Sequence, residues 1–186
     1  MANPLKIQYG GLRNDNSPLY IGIDQSYSGF AITVLNSFGY TTSVYKSEKR
    51  GIDRLADIRE HLNTTLDSVY QWAPPADVAI EGYAFGSQMA NMLGELGGMV
   101  KLTLWERDIY PLIVPPTSLK KYVAGKGTGV PKSQILLQVY KKWGVEFNDD
   151  NAADSYALAK LVSASHELAY EKEVYDKLQD PKFREK

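Results

Sequence analysis

Two short apolar runs in this chain each end in a carboxylate, and this pattern constrains the fold more than any other. Residues 19–23 (LYIGI) are followed by Asp24, and residues 78–80 (VAI) are followed by Glu81. Apolar runs of this length are typical of buried strands, and a buried strand is expected to end in water with a turn residue. We therefore predict that Asp24 and Glu81 have a chemical function.

A second pair of acids lies in the segment NDDNAADSYALAKL, which has a helix-like pattern. Asp150 and Asp154 are four residues apart, so both can face one side of the helix. Oxygen ligands from several elements suit Mg²⁺ or Mn²⁺. The sequence predicts a divalent-cation site made of Asp24, Glu81, Asp150 and Asp154, with Asp149 as the alternative to Asp150. One of these two neighbours would instead cap the helix.

Composition excludes several other kinds of site. The chain has 186 residues, no cysteine and two histidines, which argues against disulfides, thiolate zinc sites and histidine-based triads. No apolar run approaches the roughly 18 residues of a membrane span, and the N-terminus has no signal-peptide pattern. We expect a cytoplasmic protein that does not bind a membrane, located in the bacterial host cell if it is phage-encoded.

The charge of the chain is unevenly distributed although its formal sum is only −1. Residues 109–145 contain six lysines and no acid. One face could therefore attract a polyanion while the acidic residues hold metal. A surface of scattered, solvated lysines is the alternative interpretation.

The order of apolar patterns predicts three antiparallel strands followed by alternating helices and strands. This indicates an α/β fold with a mixed five-stranded sheet, three strands antiparallel and then two parallel, flanked by helices. Residues 1–18 are predicted to be an N-terminal extension, 19–170 the single domain and 171–186 a charged, frayed tail. The predicted strands are 19–23, 30–35, 41–45, 78–80 and 109–114, and the predicted helices are 51–72, 88–106, 118–123, 131–143 and 151–170.

Four segments in this order resemble the motifs of the RuvC Holliday-junction resolvases, which belong to the RNase H-like superfamily. They are IGIDQSYSGFAI, AIEGYAF, LKKYVAGKGTGVPKSQI and NAADSYALA, and the resemblance covers residues 19–165. It implies a metal-dependent endodeoxyribonuclease that resolves four-way junctions and related branched DNA by paired symmetric nicks. The chain departs from the family at Asn151, where those proteins have an acid.

The resemblance also implies roles for individual residues. Two Mg²⁺ ions, or Mn²⁺ ions, per site would be bound by the four carboxylates, and Lys132 and Lys120 would neutralise a scissile phosphate. Tyr83 and Phe85 are candidates to stack on an unpaired base. The predicted DNA-binding residues are Lys120, Lys121, Lys126, Lys132, Tyr83 and Phe85.

Family resemblance further implies a homodimer, because two matched nicks require two matched sites. Helix 88–106 is the candidate dimer surface, and Gly94, Gly97 and Gly98 within it predict close packing, since glycine costs about 1 kcal/mol in a helix. Three other functions stay open. The chain could be an RNase H-like nuclease for flaps, forks or RNA–DNA hybrids, a junction-binding module that does not cut, or, with least support, an actin-like ATPase.

Overall fold

The computed structural model of the chain describes residues 5–83 and 90–184. A six-stranded mixed sheet in the order β1-β4-β3-β2-β5-β6 is flanked by helices on both faces. The prediction of a mixed α/β sheet is confirmed, with six strands rather than five. The strands are β1 (Leu5–Gly10), β2 (Tyr20–Asp24), β3 (Phe30–Leu35), β4 (Tyr40–Lys46), β5 (Asp77–Glu81) and β6 (Leu112–Val114). The helices are α1 (Gly51–Tyr70), α2 (Ala90–Trp105), α3 (Pro116–Ala124), α4 (Lys132–Trp143), α5 (Asp150–Val162) and α6 (Ala169–Leu178).

The sixth strand, β1, lies within the segment predicted to be an extension. It pairs antiparallel with β4, from Leu5 opposite Lys46 to Gly10 opposite Thr41. This pairing satisfies the outer backbone groups of β4, which would otherwise form an open sheet edge. The alternating sequence LKIQYG is a strand signal, so the pattern was available in the sequence.

Strand alternation divides the buried side chains between the two faces of the sheet. Ile21 and Ile23 of β2, with Val78 and Ile80 of β5, pack in the cluster that includes α1 and α2. The residues between them face the opposite layer, where Ala79 joins the cluster built by α3 to α6. The same alternation turns Asp24 and Glu81 towards α5.

Helix α5 packs directly on the centre of the sheet because β2 carries a glycine there. A Cβ atom on Gly22 would lie 2.0 Å from the backbone oxygen of Ser155 and 2.4 Å from the backbone nitrogen of Ala159. The helix is rich in alanine, so its backbone approaches the sheet closely, and the Ser155 hydroxyl bonds to the buried Thr33 hydroxyl at 2.8 Å. These contacts hold the middle of α5 against β2 and β3.

The C-terminal region differs from the prediction. The helix expected over 151–170 ends at Val162, and α6 follows as a separate helix in the region predicted to begin a frayed tail. Val174 and Leu178 are buried, and the Lys142 ammonium forms an ion pair with Glu171 at 2.7 Å. Apolar spacing within 169–178 therefore anchors this segment to the domain. Among the described residues, no helix is both long and apolar enough to cross a membrane.

Candidate active site

The strand register brings the first two acids together. β2 and β5 are parallel neighbours with Ile23 opposite Ile80, so Asp24 and Glu81 follow at the same level where the strands end. The Gln25 amide also donates a hydrogen bond to the backbone oxygen of Glu81 at 2.6 Å, which links the two strand ends. Side by side, the two carboxylates face one cavity.

Helix α5 adds the second pair of acids to this cavity. The volume of the cavity is about 300 Å³, and both Asp150 and Asp154 line it. Asn151 also lines the cavity. A Cβ atom added to Gly29 would lie only 2.7 Å from the Nδ2 atom of Asn151. The structure thus places all four predicted metal ligands around a single cavity.

Asp149, the alternative ligand, has a different position. It is the N-cap of α5, and its Oδ1 accepts hydrogen bonds from the backbone N–H groups of Asn151 at 3.0 Å and Ala152 at 3.3 Å. Its other oxygen lies 3.3 Å from the Lys46 ammonium. Asp149 thus has the capping role that the sequence left open between it and Asp150.

Three carboxylates of the site have no partner among the described residues. Across residues 5–83 and 90–184, the side chains of Asp24, Glu81 and Asp154 form neither a hydrogen bond nor an ion pair with the protein, although Asp24 is only 5% exposed. A buried carboxylate without a donor is costly unless it is neutral or bound to a cation.

Their surroundings favour the protonated form strongly. Burial raises the pKa of Asp24 well above its usual range, and the charges of neighbouring acids, Glu81 first, raise it further. Burial and then the charge of Asp154 raise the pKa of Glu81 to about 8. Burial and then the charge of Asp150 raise the pKa of Asp154 to about 7. Lys132 opposes all three shifts without cancelling them.

The predicted basic residues divide into two groups. Lys120 and Lys132 line the acidic cavity, and the Lys132 ammonium donates a hydrogen bond to Asp150, which raises the pKa of Lys132. Lys121 instead pairs with Glu173 on α6 at 2.6 Å. Lys126 is exposed in the glycine-rich turn and is not among the residues that line this cavity.

One of the two predicted stacking residues can be located. Tyr83 lies at the rim of the cavity and is 36% exposed. A Cβ atom on Gly97 of α2 would lie 1.5 Å from its hydroxyl, so Gly97 is required for the position of this ring. The predicted close packing is therefore seen at Gly97. Phe85 lies outside the described residues.

The donor set suits a hard divalent cation. All four acids and Asn151 offer oxygen, and Asp24 is a buried carboxylate that lacks a donor in the described part of the chain. Within that part, no three acidic or histidine side chains already form a closed metal-binding group. Two effects oppose such a closed group. The carboxylates repel one another, and Asp150 is paired with Lys132.

Gln25 is a buried polar residue of the site that the sequence did not indicate. It is 7% exposed, lines the cavity beside Asp24 and links the ends of β2 and β5. The signal in the sequence was its position directly after Asp24. This signal is weak, because a polar residue in a turn usually faces water.

Comparison with known proteins supports the fold. No protein-family model matches the chain, and no curated protein matches its sequence. A structure of Thermus thermophilus RuvC aligns with a TM-score of 0.62 at 19% identity, covering 90% of this chain and 98% of that one. A structure of T. thermophilus RuvC in complex with a Holliday junction substrate aligns with a TM-score of 0.60 at 18% identity, covering 87% and 96%. The chain therefore has the RuvC form of the RNase H-like fold that its motifs predicted.

Proposed function

We propose that this protein is a metal-dependent endodeoxyribonuclease that resolves four-way DNA junctions. The observation that carries the proposal is the cavity where Asp24, Glu81, Asp150 and Asp154 meet beside Lys132 in a RuvC fold. One of the RuvC structures that this chain resembles is bound to a Holliday junction, which makes branched DNA the substrate of choice.

The chain's own residues would divide the work by position. The carboxylates that line the cavity would hold the two divalent ions, namely those of Asp24, Glu81, Asp150 and Asp154. When bound, two divalent ions would lower the pKa of the attacking water and stabilise the leaving oxygen. The Lys132 and Lys120 ammonium groups would hold the scissile phosphate at the cavity. The charge of that phosphate would compete with Asp150 for Lys132.

A homodimer follows from the same proposal, because a nearly two-fold symmetric junction needs two sites. Helix α2 carries a stripe that supports this assembly. A Cβ atom on Gly94 or Gly98 would meet nothing within 4 Å among the described residues, and Leu102 and Trp105 continue the stripe at 53% and 58% exposure. Exposed glycines weaken an isolated helix but allow another backbone to approach closely.

Sedimentation tests the dimer. Leu102→Asp should convert a dimer into a monomer, whereas Phe38→Asp should not, because Phe38 is 80% exposed in the β3–β4 turn and is not part of the α2 stripe. A wild-type protein that sediments as a monomer at micromolar concentration would contradict this assembly.

Cleavage assays test the activity itself. A labelled four-way junction, a matched duplex and an RNA–DNA hybrid are each incubated with the protein in Mg²⁺, Mn²⁺ or EDTA, with Asp24→Asn as the inactive control. Paired symmetric nicks in the junction alone, lost in EDTA and in the variant, are expected.

Other results would select the alternative functions. Hybrid, flap or fork cleavage without junction cleavage would identify another RNase H-like nuclease. Junction binding without cutting in either metal would identify a non-cleaving binding module, and Asn151→Asp would then be the variant to test for restored cutting.

A further inference from the structure

A second cavity adjoins the acidic one. Its volume is about 250 Å³, and it shares Gln25, Gly82 and Tyr83 with the acidic cavity. A group bound in one cavity would therefore lie next to a group bound in the other. The rest of its wall includes Ile80, Ile113, Pro115, Lys101, Lys182 and Phe183.

The C-terminal turn that supplies part of this wall is held in place. Residues Pro181–Phe183 form a 3-10 turn, and Arg184 directly after it forms two hydrogen bonds to the Asp77 carboxylate, both 2.9 Å long. Arg184 also donates to the backbone oxygen of Tyr110 at 2.8 Å and pairs with Leu112 on the sheet edge. A two-pronged arginine contact of this kind fixes orientation as well as distance.

The chemistry of the wall matches a nucleobase better than a phosphate alone. Isoleucine and proline side chains and the rings of Phe183 and Tyr83 offer apolar and stacking surface. The Oε1 atom of Gln25 has no donor in the described residues, so the amino group of a base edge would satisfy it. Lys101 and Lys182 also line this wall, and the Lys182 ammonium pairs with Asp180 at 2.8 Å and lies 5.1 Å from the centre of the Phe183 ring. A flanking phosphate would compete with Asp180 for Lys182.

We propose that this cavity receives one unstacked base from the DNA strand whose phosphate occupies the acidic cavity. The inference rests on the proposed nuclease function and deepens it, because a base held here would select the bond to be cut. Extruding a base is least costly where pairing is already interrupted, as at the centre of a junction. The C-terminal turn is then part of the substrate site.

Fluorescence of 2-aminopurine tests the proposal. Junctions carrying this base at single positions around the exchange point are bound to the Asp24→Asn protein, which keeps the DNA intact. One position next to the predicted cut should brighten on binding. Phe183→Leu keeps the apolar volume but removes the ring, so it should reduce this signal, while Phe38→Leu on a distant turn should not.

An abasic junction provides the second measurement. Phe183→Leu should weaken binding of the normal junction about fivefold but should leave unchanged the binding of a junction that lacks the base at the brightening position. Equal weakening of both junctions would mean that Phe183 acts only through folding and would overturn the proposal.

The two proposals fail in different ways. If wild-type protein cuts the junction but no position brightens, the base cavity is wrong and the nuclease function stands. If the junction is neither bound nor cut, both proposals are overturned.

Discussion

The protein buries charge in two places, and the two places are built in opposite ways. Lys142 and Glu171, at the junction of α4 and α6, are 11% and 5% exposed and pair with each other. Asp24, Glu81 and Asp154 share the acidic cavity and have no protein partner in the described residues. The first cluster has its counter-charge within the protein, whereas the three carboxylates of the second have no paired cation among the described residues.

The hydrogen-bond partners of Glu171 explain why its carboxylate is stable in the charged form. Its carboxylate accepts hydrogen bonds from Lys142 at 2.7 Å and from the backbone N–H groups of Glu167 at 2.8 Å and Leu168 at 3.0 Å. Burial alone would raise the pKa of Glu171, but these bonds outweigh it, so the pKa lies below its usual value. The pKa of Asp24 moves in the opposite direction because burial has no such compensation there.

This difference teaches how to separate structural charge from functional charge. A buried ion pair with all its hydrogen bonds made holds elements together, and breaking it costs stability. Buried carboxylates that lack a donor reduce stability, and groups with pKa values shifted in this way cluster at functional sites. The following predictions test this distinction in order of decreasing effect.

Asp24→Asn should have the largest effect, and with opposite signs on function and stability. Cleavage should fall by at least about 100-fold, the loss typical when one preorganised electrostatic group is removed. At pH 8 without divalent ions the variant should be more stable than wild type, because the amide removes a buried charge. Single-turnover cleavage and urea unfolding measure the two effects.

Asp176→Asn is the matched control for this substitution. Asp176 is exposed on α6, where its partner is Lys172, so neither cleavage nor stability should change appreciably. A large loss of stability in Asp24→Asn would contradict the proposed contrast, since it would show that the Asp24 carboxylate has a structural role.

Glu171→Gln should destabilise the protein by about 3–5 kcal/mol, because it leaves the Lys142 ammonium buried without its anion. Urea unfolding measures the loss, and cleavage per folded molecule should be unchanged. Replacing both residues by apolar ones, in Lys142→Met with Glu171→Leu, should recover part of the stability. A single variant as stable as wild type would show that the buried pair does not hold α6.

Between pH 6.5 and 8, the stability of the protein should depend on pH mainly through the carboxylates of the acidic cavity. There the unfolded carboxyl groups are ionised, whereas the folded protein still binds protons at Asp154, with a pKa of about 7, and at Glu81, with a pKa of about 8. The folded state binds more protons, so its stability should fall as pH rises through this window. Burial lowers the pKa of His166, so this residue makes stability rise with pH, but only below about pH 6.5.

Thermal unfolding in EDTA and in Mg²⁺ measures this effect. The melting temperature in EDTA should fall by a few degrees from pH 6.5 to 8. Mg²⁺ should raise the melting temperature more at pH 8 than at pH 6.5, because metal competes with protons for the carboxylates. A Mg²⁺ effect that is equal at both pH values would argue against these carboxylates as the ligands.

Lys121→Ala should have the smallest effect. Its pair with Glu173 is exposed, so the free energy of unfolding should change by less than about 1 kcal/mol. If Lys121 also contacts a DNA phosphate, as its position in the basic stretch suggests, the salt dependence of junction binding should weaken by about one unit of slope. An unchanged slope would limit Lys121 to its pair with Glu173.

Much of the fold could be predicted from local patterns. Alternation and helical spacing located β2 to β5 and most helices, because each element buries its own apolar face. The failures lie at the two ends of the chain. β1 and α6 are stabilised by elements far away in sequence, namely β4 for the first and the Lys142 side chain of α4 for the second.

For the site, the sequence by itself predicted that Asp24 and Glu81 would meet acids of a late helix at one place, because a carboxylate at the end of a buried strand is costly and therefore informative. It could not decide between Asp149 and Asp150. Only the tertiary structure placed Asp149 as the cap of α5 and Asp150 in the cavity, since the choice depends on where the helix begins. Tertiary structure alone also brought the C-terminal turn beside Gln25 and Tyr83, because contacts between residues so distant in sequence leave no local pattern.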